Sequence, residues 1–194
     1  MQIQLSEHFT FRKLLRFVLP SIIMMIFTSI YSVVDGLFVS IFVGKNALAA
    51  INLTLPIIMG LSALGFMIGT GGSAIVARML GEKKEDKANA YFSMLIYATM
   101  LGGIFLSVLG AILIPSICSL LGAKGELLSD CVLYARLSFI SMPAFMLQNV
   151  FQSFFVTAEK PHLGLYVIIA AGMTNMVLDF LFVGVWGFGL AGAA

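Results

Sequence analysis

Three stretches of this 194-residue chain, residues 46–77, 88–123 and 137–158, contain no Asp, Glu, Lys or Arg. Each exceeds the ~20 mostly apolar residues that a helix needs to cross a bilayer. A buried helix of a water-soluble domain seldom runs so long without a charge. Composition agrees: 60% of residues are hydrophobic, 10% are charged, and mean hydropathy is +1.06, against roughly 45–50% apolar and ~25% charged in soluble domains. The chain therefore reads as an all-α, polytopic transmembrane bundle. Five spans are predicted, at residues 14–43, 47–80, 90–114, 129–157 and 163–185, with a sixth beginning near residue 189. Several exceed the minimum length, so tilt or ends projecting beyond lipid are expected. Pro20, Pro56 and Pro143 fall inside three of them. Each removes a backbone donor and can bend its helix.

The basic residues orient the bundle. Arg12, Lys13 and Arg16 precede the first span, Arg78, Lys83, Lys84 and Lys87 sit at the second connection, and Lys160 sits at the fourth. Only Lys45 and Lys124 occupy the other side, so eight stand against two. Cytoplasmic loops carry the excess of Lys and Arg, which places the N-terminus in the cytoplasm of a multi-pass cell-membrane protein. Spans one, three and five then run outward. No cleavable signal is apparent, because the first apolar run is too long and lacks a small-residue cleavage site. Residues 1–16 read as an interfacial lead-in, with Leu5, Phe9 and Phe11 dipping into the headgroups.

Two aspartates stand out against this background. Asp35 interrupts the apolar run 17–43 and Asp179 interrupts 163–185. A carboxylate near the bilayer centre costs at least ~2.5 kcal/mol on insertion scales and marks a functional site by default. Thr28, Tyr31, Ser32 and Asp35 fall on one helical face, and Asn175 and Asp179 are one turn apart. Span four adds Gln148, Asn149 and Gln152. Polar groups in hydrocarbon need partners, so these faces should converge on each other or on water. Asp35 and Asp179 lie at similar depths in the outer half. Asn149 lies a turn or more deeper unless Pro143 bends its helix. Such a face can also serve as interhelical glue, the bland reading for Asn175 taken alone.

Arg136, in the fourth span, is a candidate charge partner for either aspartate, or it snorkels to the outer interface; snorkelling is favoured. Gly69-Thr-Gly-Gly-Ser73 lacks the Lys-Ser/Thr of a phosphate loop and reads as close helix packing. Asn52-Leu-Thr54 matches the glycosylation pattern but lies at a helix start. Cys118 and Cys131 read as buried free thiols rather than a disulfide. Met24, Met25, Met59, Met67, Met142 and Met146 either line an adaptable cavity or fill space. His8 and His162 stand alone. No triad, Cys/His pair or metal cluster is evident, so an enzyme is not expected, and neither a cofactor nor a nucleic-acid partner is implied.

The chain resembles the multidrug and toxic compound extrusion (MATE) family over residues 10–194. Pro20, Tyr31-Ser-Val-Val-Asp35-Gly-Leu-Phe38, Gly44-Lys-Asn-Ala-Leu-Ala-Ala50 with Pro56, and Gly69-Thr-Gly-Gly72 carry the resemblance. Ala77-Arg-Met-Leu-Gly81, Asn175-Met-Val-Leu-Asp179 and Gly189-Leu-Ala-Gly-Ala-Ala194 continue it in order. The resemblance implies a twelve-helix antiporter of two six-helix lobes around a central cavity, exporting cationic and amphipathic xenobiotics in exchange for H⁺ or Na⁺. This chain would be most of the N-terminal lobe, cut from a larger protein. It would have the bilayer, such substrates and a C-terminal lobe as partners. The implied cation site is Asp35, Asn175, Asp179 and Asn149, with Na⁺ candidates among the first three. Pro20 is a candidate hinge of helix one. A lipid-linked oligosaccharide flippase of related architecture and a non-transporting membrane scaffold are the alternatives. The flippase should show several cationic residues facing its cavity, where this chain offers only Arg136.

Overall fold

The structure is a computed structural model and describes residues 11–193. The lead-in expected at residues 1–16 lies largely outside them. Five long helices follow one another: α1 (Phe11–Phe42), α2 (Lys45–Gly81), α3 (Glu85–Leu120), α4 (Glu126–Thr157) and α5 (Pro161–Asp179). The last continues as a π-helix (Phe180–Val185), and a short 3₁₀-helix covers Gly189–Ala193. No strand occurs among the described residues. All five helices have the length and apolarity to cross a membrane.

Helix α3 departs most from expectation, running from residue 85 to 120 rather than from 90 to 114. Glu85 and Asp86 in its first turn complement the positive end of the helix dipole. At the other end the helix continues through Pro115 with one fewer backbone bond. Its 36 residues extend about 54 Å, well beyond the ~30 Å hydrocarbon core, so both ends enter the interfacial layers. Pro20, Pro56 and Pro143 are likewise accommodated inside unbroken helices.

Helix α4 is the hub. It packs along α2 and α3, while α1 pairs with α5. Cys131, Ala135, Phe139, Met142, Met146 and Val150, recurring at intervals of three and four, are buried on its inner face. Glycines allow the close approach. A Cβ on Gly65 would lie 2.9 Å from the Met146 Cα, and one on Gly69 would lie 2.9 Å from the Val150 Cα. On α3, Gly103 meets Pro143 and Gly110 meets the Phe139 ring. The run Gly69–Ser73 thus serves helix packing, as its composition suggested. The six methionines do not share one role: Met24, Met142 and Met146 are buried, whereas Met25, Met59 and Met67 are exposed. Cys118 and Cys131 are buried free thiols.

Helices α2, α3 and α4 end in the same closure. The amide of Lys84 donates to the Met79 carbonyl, that of Ala123 to Cys118, and that of Lys160 to Phe155. In each, the preceding residue (Lys83, Gly122 or Glu159) takes positive φ, the geometry of a Schellman turn.

Candidate cation site

Pairing of α1 with α5 carries Asp35 to Asp179. Asp179 is the last α-helical residue of α5 and is only 5% exposed. Asp35 lies half-buried near the C-terminal end of α1. Their carboxyl groups lie close enough to interact directly. Two ionised carboxylates repel at such a distance, and sharing a proton or a cation relieves the conflict.

One shared proton does not satisfy the cluster. Among the described residues, Asp179 Oδ2 and Asn175 Oδ1 are buried oxygens with no hydrogen-bond partner. An unmet buried acceptor costs about 1–3 kcal/mol. The set is two carboxyls and an amide oxygen, rich in acceptors and poor in donors. Hard cations such as Na⁺ prefer such all-oxygen surroundings, and H⁺ binds to the carboxylates directly.

Two tyrosines complete the surroundings. Tyr31, one turn before Asp35, and Tyr134 of α4 both lie within electrostatic reach of the two aspartates. Tyr134 is 9% exposed, and its phenol lies beside Ser138. Sequence reasoning missed Tyr134, because a tyrosine in an apolar helix reads as core. Its signal was the i, i+4 pairing with Ser138.

Asn149 and Arg136 make no direct bond to the aspartates among the described residues. Ser153 Oγ donates to the Asn149 carbonyl at 3.3 Å, and that carbonyl lies against Gly69 of α2. The Asn149 side chain makes no hydrogen bond to Asp35, Asn175 or Asp179 among the described residues. Its backbone, deeper on α4 than the aspartates, lies on the α2 seam. Arg136 is exposed, and its Nε donates to the Ala111 carbonyl of α3 at 3.4 Å. It therefore faces away from the aspartates and does not act as their charge partner here.

The α1 face also splits. Thr28 and Ser32 are exposed, whereas Tyr31 and Asp35 turn inward. Thr28 instead donates to the Met24 carbonyl at 2.9 Å. Gln152 Nε2 lies 3.3 Å from Met24 Sδ, linking α4 to α1. Pro20 is buried within an unbroken α1.

Directly after Asp179 the backbone widens into the π-helix. The Trp186 amide reaches back to the Leu181 carbonyl at 2.8 Å. Such turns recur at functional sites and re-aim the residues around them. Beyond it, Phe182, Trp186 and Phe188 cluster with ring centroids 5.2–5.9 Å apart.

Comparison with known proteins identifies what the chain is similar to. The sequence signature of the MatE family matches residues 20–181. The chain is 29% identical over 174 residues to the multidrug export protein MepA of Staphylococcus haemolyticus, covering 90% of this chain and 38% of that protein. It is 27% identical over 184 residues to MepA of Staphylococcus aureus, covering 95% and 41%. Among solved structures, MATE in its bent conformation superposes with TM-score 0.85 at 28% identity, covering 93% of this chain and 40% of that one. A MOP superfamily transporter from Pyrococcus furiosus gives TM-score 0.86 at 27% identity, covering 92% and 39%. The chain thus spans about two fifths of the length of these relatives. The match of its sequence over nearly the whole bundle, and of its fold to solved transporters, establishes that this chain belongs to the MatE family.

Proposed function

We propose that this chain forms the N-terminal lobe of a multidrug exporter and that Asp35, Asn175 and Asp179 hold its coupling cation. The observation that carries the reading is the facing pair Asp35–Asp179, with Asp179 Oδ2 and, one turn earlier, Asn175 Oδ1 buried without partners among the described residues. Kinship with proteins named as multidrug exporters supports the transport activity. The cargo would be cationic or amphipathic compounds, expelled in exchange for H⁺ or Na⁺ across a cell membrane, with a C-terminal lobe as partner and the N-terminus in the cytoplasm.

The mechanism follows from the charge of the cluster. A cation entering from outside neutralises the carboxyl pair and satisfies the free oxygens. The pairing of α1 with α5 then favours one packing, and the charged, cation-free pair favours another. Drug and cation need not touch; each only has to prefer a different state of the same element. Pro20, fifteen residues before Asp35, lacks the backbone donor that would stiffen α1, so it is the proposed hinge. Rocking of two lobes would convert that local change into alternating access. Arg136 turns toward α3, which weighs against the flippase alternative. The scaffold alternative requires both aspartates to be dispensable.

The test is drug efflux from cells expressing the full-length protein with Asp35→Asn. Loss of gradient-driven efflux is expected. Wild-type efflux would overturn the reading.

A further inference from the structure

A cavity of about 280 Å³ lies at the opposite end of the bundle from the aspartates. It sits between α2, α3 and α4, and Leu80, Asn89, Phe92, Phe151, Phe154 and Thr157 are among its walls. Phe92 meets Phe154 edge-on with centroids 4.7 Å apart, and Phe151 at 6.2 Å, so an aromatic wall runs up from the membrane surface. The volume falls below the ~300–1,000 Å³ of drug-sized sites, and an apolar slot of this size suits part of a hydrocarbon chain.

The turns at this end carry five basic residues, Arg78, Lys83, Lys84, Lys87 and Lys160, and four acidic ones, Glu82, Glu85, Asp86 and Glu159. Arg78 and Lys84 both pair with Glu82, at 3.1 and 2.6 Å. Glu85 and Asp86 sit in the first turn of α3 and complement its dipole. Lys83, Lys87 and Lys160 have no acidic partner among the described residues. Lys83 lies in the turn that joins the wall residues Leu80 and Ala88, held at φ 58° by the helix closure. Lys87 precedes Ala88, and Lys160 follows the wall residue Ala158 by two positions. Three lysines without an acidic partner among the described residues therefore sit on the turns that bound the slot, at the end of the lobe that carries most of its basic residues.

We infer that this cavity binds one anionic phospholipid of the cytoplasmic leaflet. An acyl chain lies along the aromatic wall. The phosphate meets Lys83, Lys87 and Lys160, and Asn89 offers its amide at the headgroup level. Anionic lipids are drawn to basic pockets between transmembrane helices on this side, each Lys or Arg contributing about 1 kcal/mol. The site is independent of the aspartate cluster, so it stands or falls separately from the proposed transport cycle.

Native mass spectrometry of the full-length protein tests it, using phosphatidylglycerol and phosphatidylcholine with matched acyl chains. Wild type should hold one phosphatidylglycerol in clear preference. The triple variant Lys83→Gln/Lys87→Gln/Lys160→Gln should lose about tenfold or more of that affinity with phosphatidylcholine binding unchanged. Asn89→Trp keeps every charge but fills the slot from an exposed wall position, and should lose affinity comparably. Thermal unfolding in phosphatidylcholine alone verifies that both variants fold. Equal binding of the two lipids by wild type would overturn the inference. So would a triple variant with its preference intact, or wild-type affinity in Asn89→Trp, which would reduce the effect to diffuse surface attraction.

Discussion

The carboxyl group of Asp35 on α1 faces that of Asp179 at the final α-helical turn of α5, close enough for the two to interact directly. Asp179 Oδ2 is buried and has no partner among the described residues. A pair arranged for stability alone would set a donor opposite a carboxylate. This arrangement sets one carboxyl against another and adds a further acceptor, Asn175 Oδ1.

Asp179→Asn should therefore leave the fold intact. Its amide supplies a donor to Asp35 and removes the like-charge conflict. The melting temperature of the purified protein is expected to hold or rise while coupled efflux falls. A loss of ~3–5 kcal/mol, typical of breaking a buried ion pair, would make the pair structural glue instead.

The glycines of α2 should divide sharply on substitution. Gly65→Ala drives a Cβ to 2.9 Å from the Met146 backbone, and such overpacking costs about 1–3 kcal/mol. Gly60→Ala meets nothing within 4 Å and should be neutral or stabilising by up to ~1 kcal/mol through helix propensity. Thermal unfolding of the two variants side by side measures the difference.

Arg136→Gln separates two accounts of the cation site. The guanidinium bonds to the Ala111 carbonyl and faces away from the aspartates. Cation-coupled efflux should stay within about twofold of wild type, since surface changes of this kind usually stay within ~0.5 kcal/mol. An effect as severe as that of Asp35→Asn would make Arg136 their counter-charge.

Glu82 governs how many cations the lipid site presents. Lys84, and then Arg78, hold its carboxyl below the usual glutamate range. With a depressed folded-state value, the pairing is complete at neutral pH and is lost only as pH falls below about 4.5. Glu82→Gln should thus raise phosphatidylglycerol affinity at pH 7. Wild type should show no such gain between pH 7 and pH 5.5, as read by the same mass-spectrometric titration.

The spans were legible because long uncharged runs have few other physical outcomes. The ends of α3 were not, since Pro115 and the acidic first turn at Glu85 and Asp86 resemble boundaries yet lie inside the helix. The meeting of Asp35 and Asp179 could be anticipated from depth and helical period. The seating of the Asn149 backbone against Gly69 could not, because it depends on how the Gly65–Gly69 face of α2 packs on α4. Tyr134 was hidden by its apolar neighbours. The π-helix was hidden because Phe180-Leu-Phe-Val-Gly-Val185 carries no signal distinguishing it from an ordinary apolar helix.

The most direct test is drug flux in vesicles reconstituted with the full-length protein, driven by an imposed H⁺ or Na⁺ gradient and compared among wild type, Asp35→Asn and Asp179→Asn. Gradient-driven drug movement should be abolished in both variants while equilibrium drug binding is retained. Gradient-driven flux at the wild-type rate in either variant would contradict a coupling site built from this pair.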